Sequence, residues 1–173
     1  MAADAADELV LLGRAFELQQ AGRLPEAEAL YAQVLAANPD DATALVNAGA
    51  VALARGDLAL AIARSERVVR LAPRNAPARN NLGFALIHAG RDSEALAVLD
   101  QAIALNGNYA QAHNNRGIAL VRLGRVADGI AAFERALLIE PRYGEAALNL
   151  GDQRNNAGDG VRAAEMIRDR VPE

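Results

Sequence analysis

The sequence predicts an all-α protein built from repeated pairs of helices. Apolar residues recur along the chain at the spacing of amphipathic helices. Alanine, leucine and arginine dominate the composition, whereas aromatic residues make up only 3%, and this mixture favours helices over sheets. Glycine recurs with a constant spacing of 34 residues, and a fixed period of this length is typical of repeat proteins.

Three series of small residues share the period of 34 residues. The first consists of Gly22, Gly56, Gly90, Gly124 and Gly158. The second consists of Gly49, Gly83, Gly117 and Gly151, with Ala15 in the first slot, and the third of Ala27, Ala61, Ala95 and Ala163, with Gly129 in its gap. Because glycine adopts the left-handed conformation easily, the first series is predicted to end the first helix of each pair. The second and third series are predicted to face each other where the two helices of a pair approach closely.

These signals predict the positions of ten helices. The first helices of the pairs are expected near residues 5–21, 42–55, 76–89, 110–123 and 144–157. The second helices are expected near residues 25–37, 58–71, 92–105, 126–139 and 160–170, with a turn at "GDG" from Gly158 to Gly160. Prolines after the second helices stop them. Together they form one array over residues 1–173, with four full units at about 8–41, 42–75, 76–109 and 110–143 and a shorter fifth at about 144–171.

Charge and composition restrict the partners of the chain. The net charge of −4 argues against nucleic acid, since phosphate binding needs clustered positive charge. No run is long and apolar enough to cross a bilayer, and the acidic start of the sequence does not resemble a signal peptide. A cytoplasmic location without membrane insertion is therefore expected. The polar end of the fifth unit fits a terminal repeat, and the alternative is an array that continues beyond Glu173.

Few residues are suited to catalysis. All 18 basic residues are arginine, and cysteine is absent, so lysine and thiol chemistry are excluded. The serine and threonine hydroxyls (Ser65, Ser93 and Thr43) have no histidine and carboxylate nearby in the sequence. His88 and His113 are predicted on opposite faces of different helices, which disfavours a shared metal. The sequence predicts no enzymatic activity, no cofactor and no metal site.

The pattern Leu82-Gly83, Gly90, Ala95 and Ala102, with prolines at the repeat ends, resembles tetratricopeptide repeats. The resemblance covers about residues 8–171. It implies a right-handed superhelix, a solenoid of antiparallel helix pairs, in which the first helix of each pair lines a concave surface.

The concave face of the two central units is apolar and rich in amides. An ordinary surface helix is polar opposite its core, so this composition indicates a binding groove. The predicted groove residues of the central units are Asn80, Asn81, Phe84, Ile87, Gln111, Asn114, Asn115, Ile118, Val121 and Arg122.

One column of asparagines runs through four units at the same position: Asn47, Asn81, Asn115 and Asn149. Each carboxamide offers donors and an acceptor, so the column can hold an extended backbone without reading its side chains. It resembles the asparagine ladders in the tetratricopeptide arrays of O-linked N-acetylglucosamine transferases, which implies peptide binding. The alternative is that these asparagines bridge neighbouring repeats, because buried amides must be paired.

The sequence therefore predicts a non-enzymatic scaffold that binds a protein or peptide segment in its concave groove. Two alternatives remain open. The chain can be the substrate-recruiting part of a larger glycosyltransferase-like enzyme, or a self-associating structural module that forms a homo-oligomer.

Overall fold

The chain forms a row of antiparallel helix pairs, each stacked on the next. The computed structural model describes the backbone of residues 2–168 and the side chains of residues 7–156. Within residues 2–168 there are nine α-helices and no strand: α1 (Ala2–Gln20), α2 (Leu24–Ala37), α3 (Ala42–Ala54), α4 (Leu58–Leu71), α5 (Ala76–His88), α6 (Asp92–Leu105), α7 (Ala110–Arg122), α8 (Val126–Ile139) and α9 (Gly144–Arg168). The predicted positions of α2 to α8 are confirmed to within about two residues.

The two helices of each of the first four pairs are joined by the same tight turn. Its glycines, Gly22, Gly56, Gly90 and Gly124, have φ values between 71° and 79°. The N–H of Gly90 donates to the carbonyl of Ile87 (3.0 Å), and that of Arg91 donates to the carbonyl of Leu86 (2.9 Å). These two bonds satisfy the last carbonyls of α5 and reverse the chain. The first glycine series is confirmed as a helix-ending series at these four positions.

Side-chain caps begin several of the helices that follow. Asp41 accepts from the N–H of Ala44 (2.6 Å) at the start of α3, and Asn75 accepts from the N–H of Ala78 (3.0 Å) at the start of α5. Each cap satisfies one N–H that has no partner inside its helix. The start of each of these two pairs is therefore fixed locally.

The fifth unit differs from its prediction. A turn at Gly158 and a separate helix at 160–170 were expected, but α9 continues without interruption from Gly144 to Arg168, and residues 169–170 lie outside the described range. In the first four pairs the residue four positions before the turn glycine is apolar and buried: Leu18, Ala52, Leu86 and Leu120. The fifth unit has Arg154 at this position, and its guanidinium binds Glu134 on α8 (2.7 Å). The turn therefore lacks the buried apolar side chain that anchors the other four.

Missing side chains bring the helices of two central pairs into close contact. A Cβ atom on Gly83 would lie 2.6 Å from Cγ of Leu99, and one on Gly117 would lie 2.6 Å from Cδ1 of Phe133. Gly129 of the third series approaches the carbonyl oxygen of Gly117 in turn. The close approach predicted for the second and third series is confirmed between α7 and α8, because Gly117 and Gly129 both lie in that contact.

Successive pairs pack directly against each other, and each helix contacts only its near neighbours along the chain. This arrangement is a solenoid, in which every pair buries its faces against the preceding and following pairs. We call the surface formed by α1, α3, α5, α7 and α9 the first-helix face. Within the described residues no helix has the length and apolar character needed to span a membrane.

Candidate functional site

Two hydrogen bonds between asparagines join consecutive helices of the first-helix face. Nδ2 of Asn115 on α7 donates to Oδ1 of Asn80 on α5 (2.9 Å), and Nδ2 of Asn149 on α9 donates to Oδ1 of Asn114 on α7 (2.9 Å). Asn80, Asn114 and Asn115 are 7%, 0% and 6% exposed. Most buried amide groups in proteins are hydrogen-bonded, and these two bonds make the asparagines bridges between neighbouring repeats.

This geometry corrects the predicted groove, because several of its residues are not presented on an open face. Asn80, Asn114, Asn115 and Ile87 are buried between neighbouring helices. Ile118 packs against the core, and Val121 lies against Gly129 of α8. The physical reason is that each first helix has its own second helix on one side and the neighbouring first helices on others. A two-sided helical wheel therefore assigned too much of its surface to the groove.

Four predicted groove residues have exposed side chains: Asn81, Phe84, Gln111 and Arg122. Asn47 and Asn149 are half-buried. Asn81 and Phe84 lie together on α5, one turn apart, whereas Gln111 and Arg122 lie at the two ends of α7. The structure thus concentrates the exposed amide and apolar groups of the prediction on α5.

The hydrogen bond that joins α5 to α7 has no counterpart between α3 and α5. Asn115 and Asn80 are 35 residues apart, and the residue at the same distance before Asn81 is Val46. Valine cannot accept a hydrogen bond through its side chain. The Asn81 carboxamide makes no hydrogen bond to any described residue and is exposed. Its donors and acceptor are therefore available to a ligand.

A second contact is also replaced between α3 and α5. Nη1 of Arg122 on α7 donates to the carbonyl of Ile87 on α5 (2.5 Å). The corresponding residues on α5 and α3 are His88 and Leu53. The ring of His88 instead packs edge-on against Phe84, with ring centroids 4.6 Å apart. Helices α3 and α5 consequently make few direct contacts, whereas α5 and α7 pack together.

An apolar pocket of about 470 Å³ fills the space between α3 and α5 and opens on the first-helix face. We call it the α3–α5 pocket. It is lined by Val46, Gly49, Ala50, Leu53 and Ala54 of α3, by Ala61, Ser65 and Val68 of α4, and by Ala78, Asn81, Phe84, Ala85 and His88 of α5. None of these residues is an acid or an arginine. The pocket suits an apolar group with polar contacts at its edge.

Ser65 explains why the pocket occurs in this repeat. The equivalent positions of the other three second helices hold Tyr31, Leu99 and Phe133, which are at most 2% exposed. Each of these side chains fills the space beneath its first helix. Ser65 is much smaller and faces Gly49, so a gap remains between α3, α4 and α5.

Two tyrosines lie beside the buried asparagines. Tyr109 lies next to Asn80, and Tyr143 lies next to Asn114. Burial raises the pKa of the Tyr109 hydroxyl. Burial, with the nearby carboxylates of Glu145 and Glu140, raises the pKa of Tyr143 from 10.0 to about 12. Both hydroxyls therefore stay protonated in the folded chain well above neutral pH.

The free energy of unfolding is expected to decrease as the pH rises from 10 towards 12, with a contribution from Tyr143. Below this range both states keep the proton, whereas within it only the unfolded chain loses the proton, which favours unfolding. In Tyr143→Phe this contribution is absent, so the decrease should be shallower. Urea unfolding at a series of pH values measures the slope, and equal slopes in the two proteins would contradict the assignment.

Sequence reasoning missed most residues of the α3–α5 pocket. The 34-residue pattern predicts only helix packing for Gly49, and the hydroxyl of Ser65 has no predicted role in binding. The signal that reveals the pocket is the comparison of equivalent positions, in which Ser65 replaces a large residue and Val46 replaces an asparagine. Among residues with described side chains, no group of three or more histidines and carboxylates could hold a metal ion.

Family models for the tetratricopeptide repeat match residues 12–65, 52–116 and 110–143. Together these matches cover the chain from the middle of α1 to the end of the loop after α8. The chain is a tetratricopeptide repeat (TPR) protein. TPR proteins are protein-interaction scaffolds, and the TPR fold is generally not catalytic. The comparison with curated proteins returned no match.

Solved structures share this all-α superhelical fold. MamA is 27% identical, with a TM-score of 0.72 over 83% of this chain and 84% of MamA. The TPR protein TTC0263 of Thermus thermophilus is 26% identical, with a TM-score of 0.76 over 87% and 83%. YrrB, described as a TPR protein with an unusual peptide-binding site, is 24% identical, with a TM-score of 0.69 over 96% and 87%.

Proposed function

We propose that this TPR protein is a non-enzymatic scaffold that binds a peptide segment of a partner protein on its first-helix face. The binding site is centred on α5, at the edge of the α3–α5 pocket. The observation that supports this function is the position of Asn81, whose unpaired carboxamide lies beside the exposed ring of Phe84.

The two side chains offer different contacts to the same ligand. A carboxamide can donate to a peptide carbonyl and accept from a peptide N–H, so Asn81 can hold a backbone. Phe84 is 38% exposed and offers apolar area next to it. Aromatic residues of this kind often supply most of the binding energy at an interface. A peptide, which carries an amide backbone and apolar side chains together, matches both groups.

The family supports the same function at a coarser level. TPR proteins are interaction scaffolds, and YrrB, which shares the fold, has a peptide-binding site. Because one fold serves many functions, the residues of this chain carry the proposal. The predicted role of Gln111 belongs to it as well, since this residue is exposed on α7 beyond the pocket. Arg122 is also exposed on α7, but its Nη1 donates to the carbonyl of Ile87, and it does not line the pocket.

The experiment is a selection of displayed random peptides on the immobilised chain, followed by calorimetry with synthetic copies of the selected peptides. Phe84→Ala is expected to weaken binding about tenfold or more, because it removes the central apolar contact. Asn81→Ala should weaken the binding of the same peptides, because it leaves backbone groups of the bound ligand without a partner. Affinity should change little between low and high salt, since no acid or arginine lines the site.

Leu105→Ala is the matched control for Phe84→Ala. Leu105 is 40% exposed, close to the value for Phe84, but it ends α6, which is a second helix. Its substitution should leave the affinity unchanged. The proposal is wrong if no peptide is selected above background, or if Phe84→Ala and Leu105→Ala have the same effect.

A further inference from the structure

From the α3–α5 pocket we infer the chemistry of the bound segment: it inserts bulky apolar side chains between α3 and α5 while its backbone is held by Asn81. This inference rests on the proposed peptide binding and adds the determinant of specificity. The pocket lies between the second and third repeats, and Ser65 and Val46 of the second repeat distinguish this junction from the others.

The volume of the pocket decides which groups fit. A closed apolar cavity of about 150 Å³ holds one benzene molecule. The α3–α5 pocket has about 470 Å³ and an open mouth, so it accepts an aromatic side chain or two neighbouring aliphatic ones. A methyl group would leave most of it empty. The expected ligand therefore carries leucine, methionine, phenylalanine or tryptophan at the inserted position.

The lining favours apolar groups over charged ones. Val46, Leu53 and Val68 form apolar walls, and the lining contains no acid or arginine. Its one titratable side chain, His88, is exposed and packs against Phe84. Burying a charge without a partner is strongly unfavourable. Lysine, arginine and carboxylate side chains should therefore be excluded from the inserted position.

The edge of the pocket distinguishes a peptide from a free apolar molecule. Asn81 is exposed at the mouth and has no partner among the described residues. Equivalent asparagines on α7 and α9 donate to the preceding helix instead. A peptide uses this free carboxamide and the pocket at once, whereas a hydrocarbon uses the pocket alone. The two features lie side by side at this junction.

The test fills the pocket with a larger side chain on α4. Ser65→Leu and Ser65→Phe introduce the side chains that Leu99 and Phe133 supply at equivalent positions. The space above Ser65 can take them, since Gly49 opposes it as Gly83 and Gly117 oppose those residues. Both variants should bind the peptides selected on the wild-type chain about tenfold or more weakly than the wild-type chain does. Their thermal midpoints should not decrease, because the added apolar groups become buried.

Two controls complete the test. Ala59→Leu adds a leucine to the same helix at an exposed position outside the pocket lining, and it should bind normally. A synthetic peptide whose inserted residue is replaced by alanine should bind weakly to the wild-type chain. Its affinity for the Ser65→Leu variant should be only slightly lower. This non-additivity, measured as a double-mutant cycle, shows that the two changes affect one contact.

The outcomes separate this inference from the proposed function. If Phe84→Ala weakens binding but Ser65→Leu and Ser65→Phe do not, the proposed peptide binding is supported. The inference that a bulky side chain inserts into the pocket is then wrong. The inference also fails if the selected peptides share no bulky apolar residue, or if a fluorescent apolar dye binds the pocket and the peptides do not displace it. Self-association that Ser65→Leu abolishes would identify a second copy as the occupant and overturn it.

Discussion

Gly117→Ala should lower the free energy of unfolding, whereas Gly49→Ala, at the equivalent position of another repeat, should raise it. A Cβ on Gly117 would lie 2.6 Å from Cδ1 of Phe133, which is 2% exposed and cannot move away easily. Such overpacking costs about 1–3 kcal/mol. A Cβ on Gly49 would lie 3.7 Å from Cβ of Arg64, an ordinary contact. There the helix propensity of alanine adds up to about 1 kcal/mol.

The pair of substitutions isolates the effect of packing. Both replace a mid-helix glycine by alanine and gain the same intrinsic propensity, so the difference between them measures the clash with Phe133. Urea unfolding monitored by circular dichroism gives both values. Adding Phe133→Leu to Gly117→Ala should recover part of the loss, since leucine occupies less space. Stabilisation by both single substitutions would show that α7 and α8 are not in close contact.

Asn115→Ala should destabilise the chain by about 1–3 kcal/mol, because it removes the donor from the buried Oδ1 of Asn80. Asn81→Ala is the matched control, since it occupies the equivalent position on α5 and is exposed. Its effect on stability should stay within about 0.5 kcal/mol. Thermal and urea unfolding of both variants measure the difference.

The same two variants distinguish a bridging asparagine from a ligand-binding one. Asn81→Ala should weaken peptide binding with little change in stability, and Asn115→Ala should do the reverse when binding is measured well below its melting temperature. In the double variant Asn80→Ala/Asn115→Ala, the losses should not add, as expected for two groups in one hydrogen bond. Unchanged stability with weakened binding in Asn115→Ala would mean that the buried pair opens to hold the ligand.

The helix pairs could be predicted because their signals are local and repeated. The glycine of each turn must adopt positive φ, and Gly22, Gly56, Gly90 and Gly124 do so. The fifth turn could not be predicted from Gly158 alone. Whether a glycine ends a helix depends also on a buried apolar residue in the preceding turn, and Arg154 occupies that position. The glycine is necessary for this turn but not sufficient.

The candidate site was predicted only in part, because it depends on contacts between repeats. Asn81 and Asn115 are equivalent in the sequence, yet one is exposed and the other is buried. The difference lies 35 residues earlier, where Val46 replaces the acceptor that Asn80 provides. The pocket depends likewise on Ser65 and Gly49, which have no evident role until the second helix is placed beneath the first. Comparison of equivalent positions, rather than helix periodicity, carries this information.

The asparagine pairs also give the helix pair α7–α8 complementary contacts on the two sides that face its neighbouring repeats. Asn115 donates to the preceding helix, and Asn114 accepts from the following one. A copy of α7–α8 placed after the original would therefore present a donor to the acceptor already there, and its own acceptor would face the next unit. The donor and acceptor of this pair match each other, so duplication of the pair would lengthen the array and reuse the same hydrogen bond between repeats. The pair α3–α4, with Val46 at the acceptor position, interrupts this pattern.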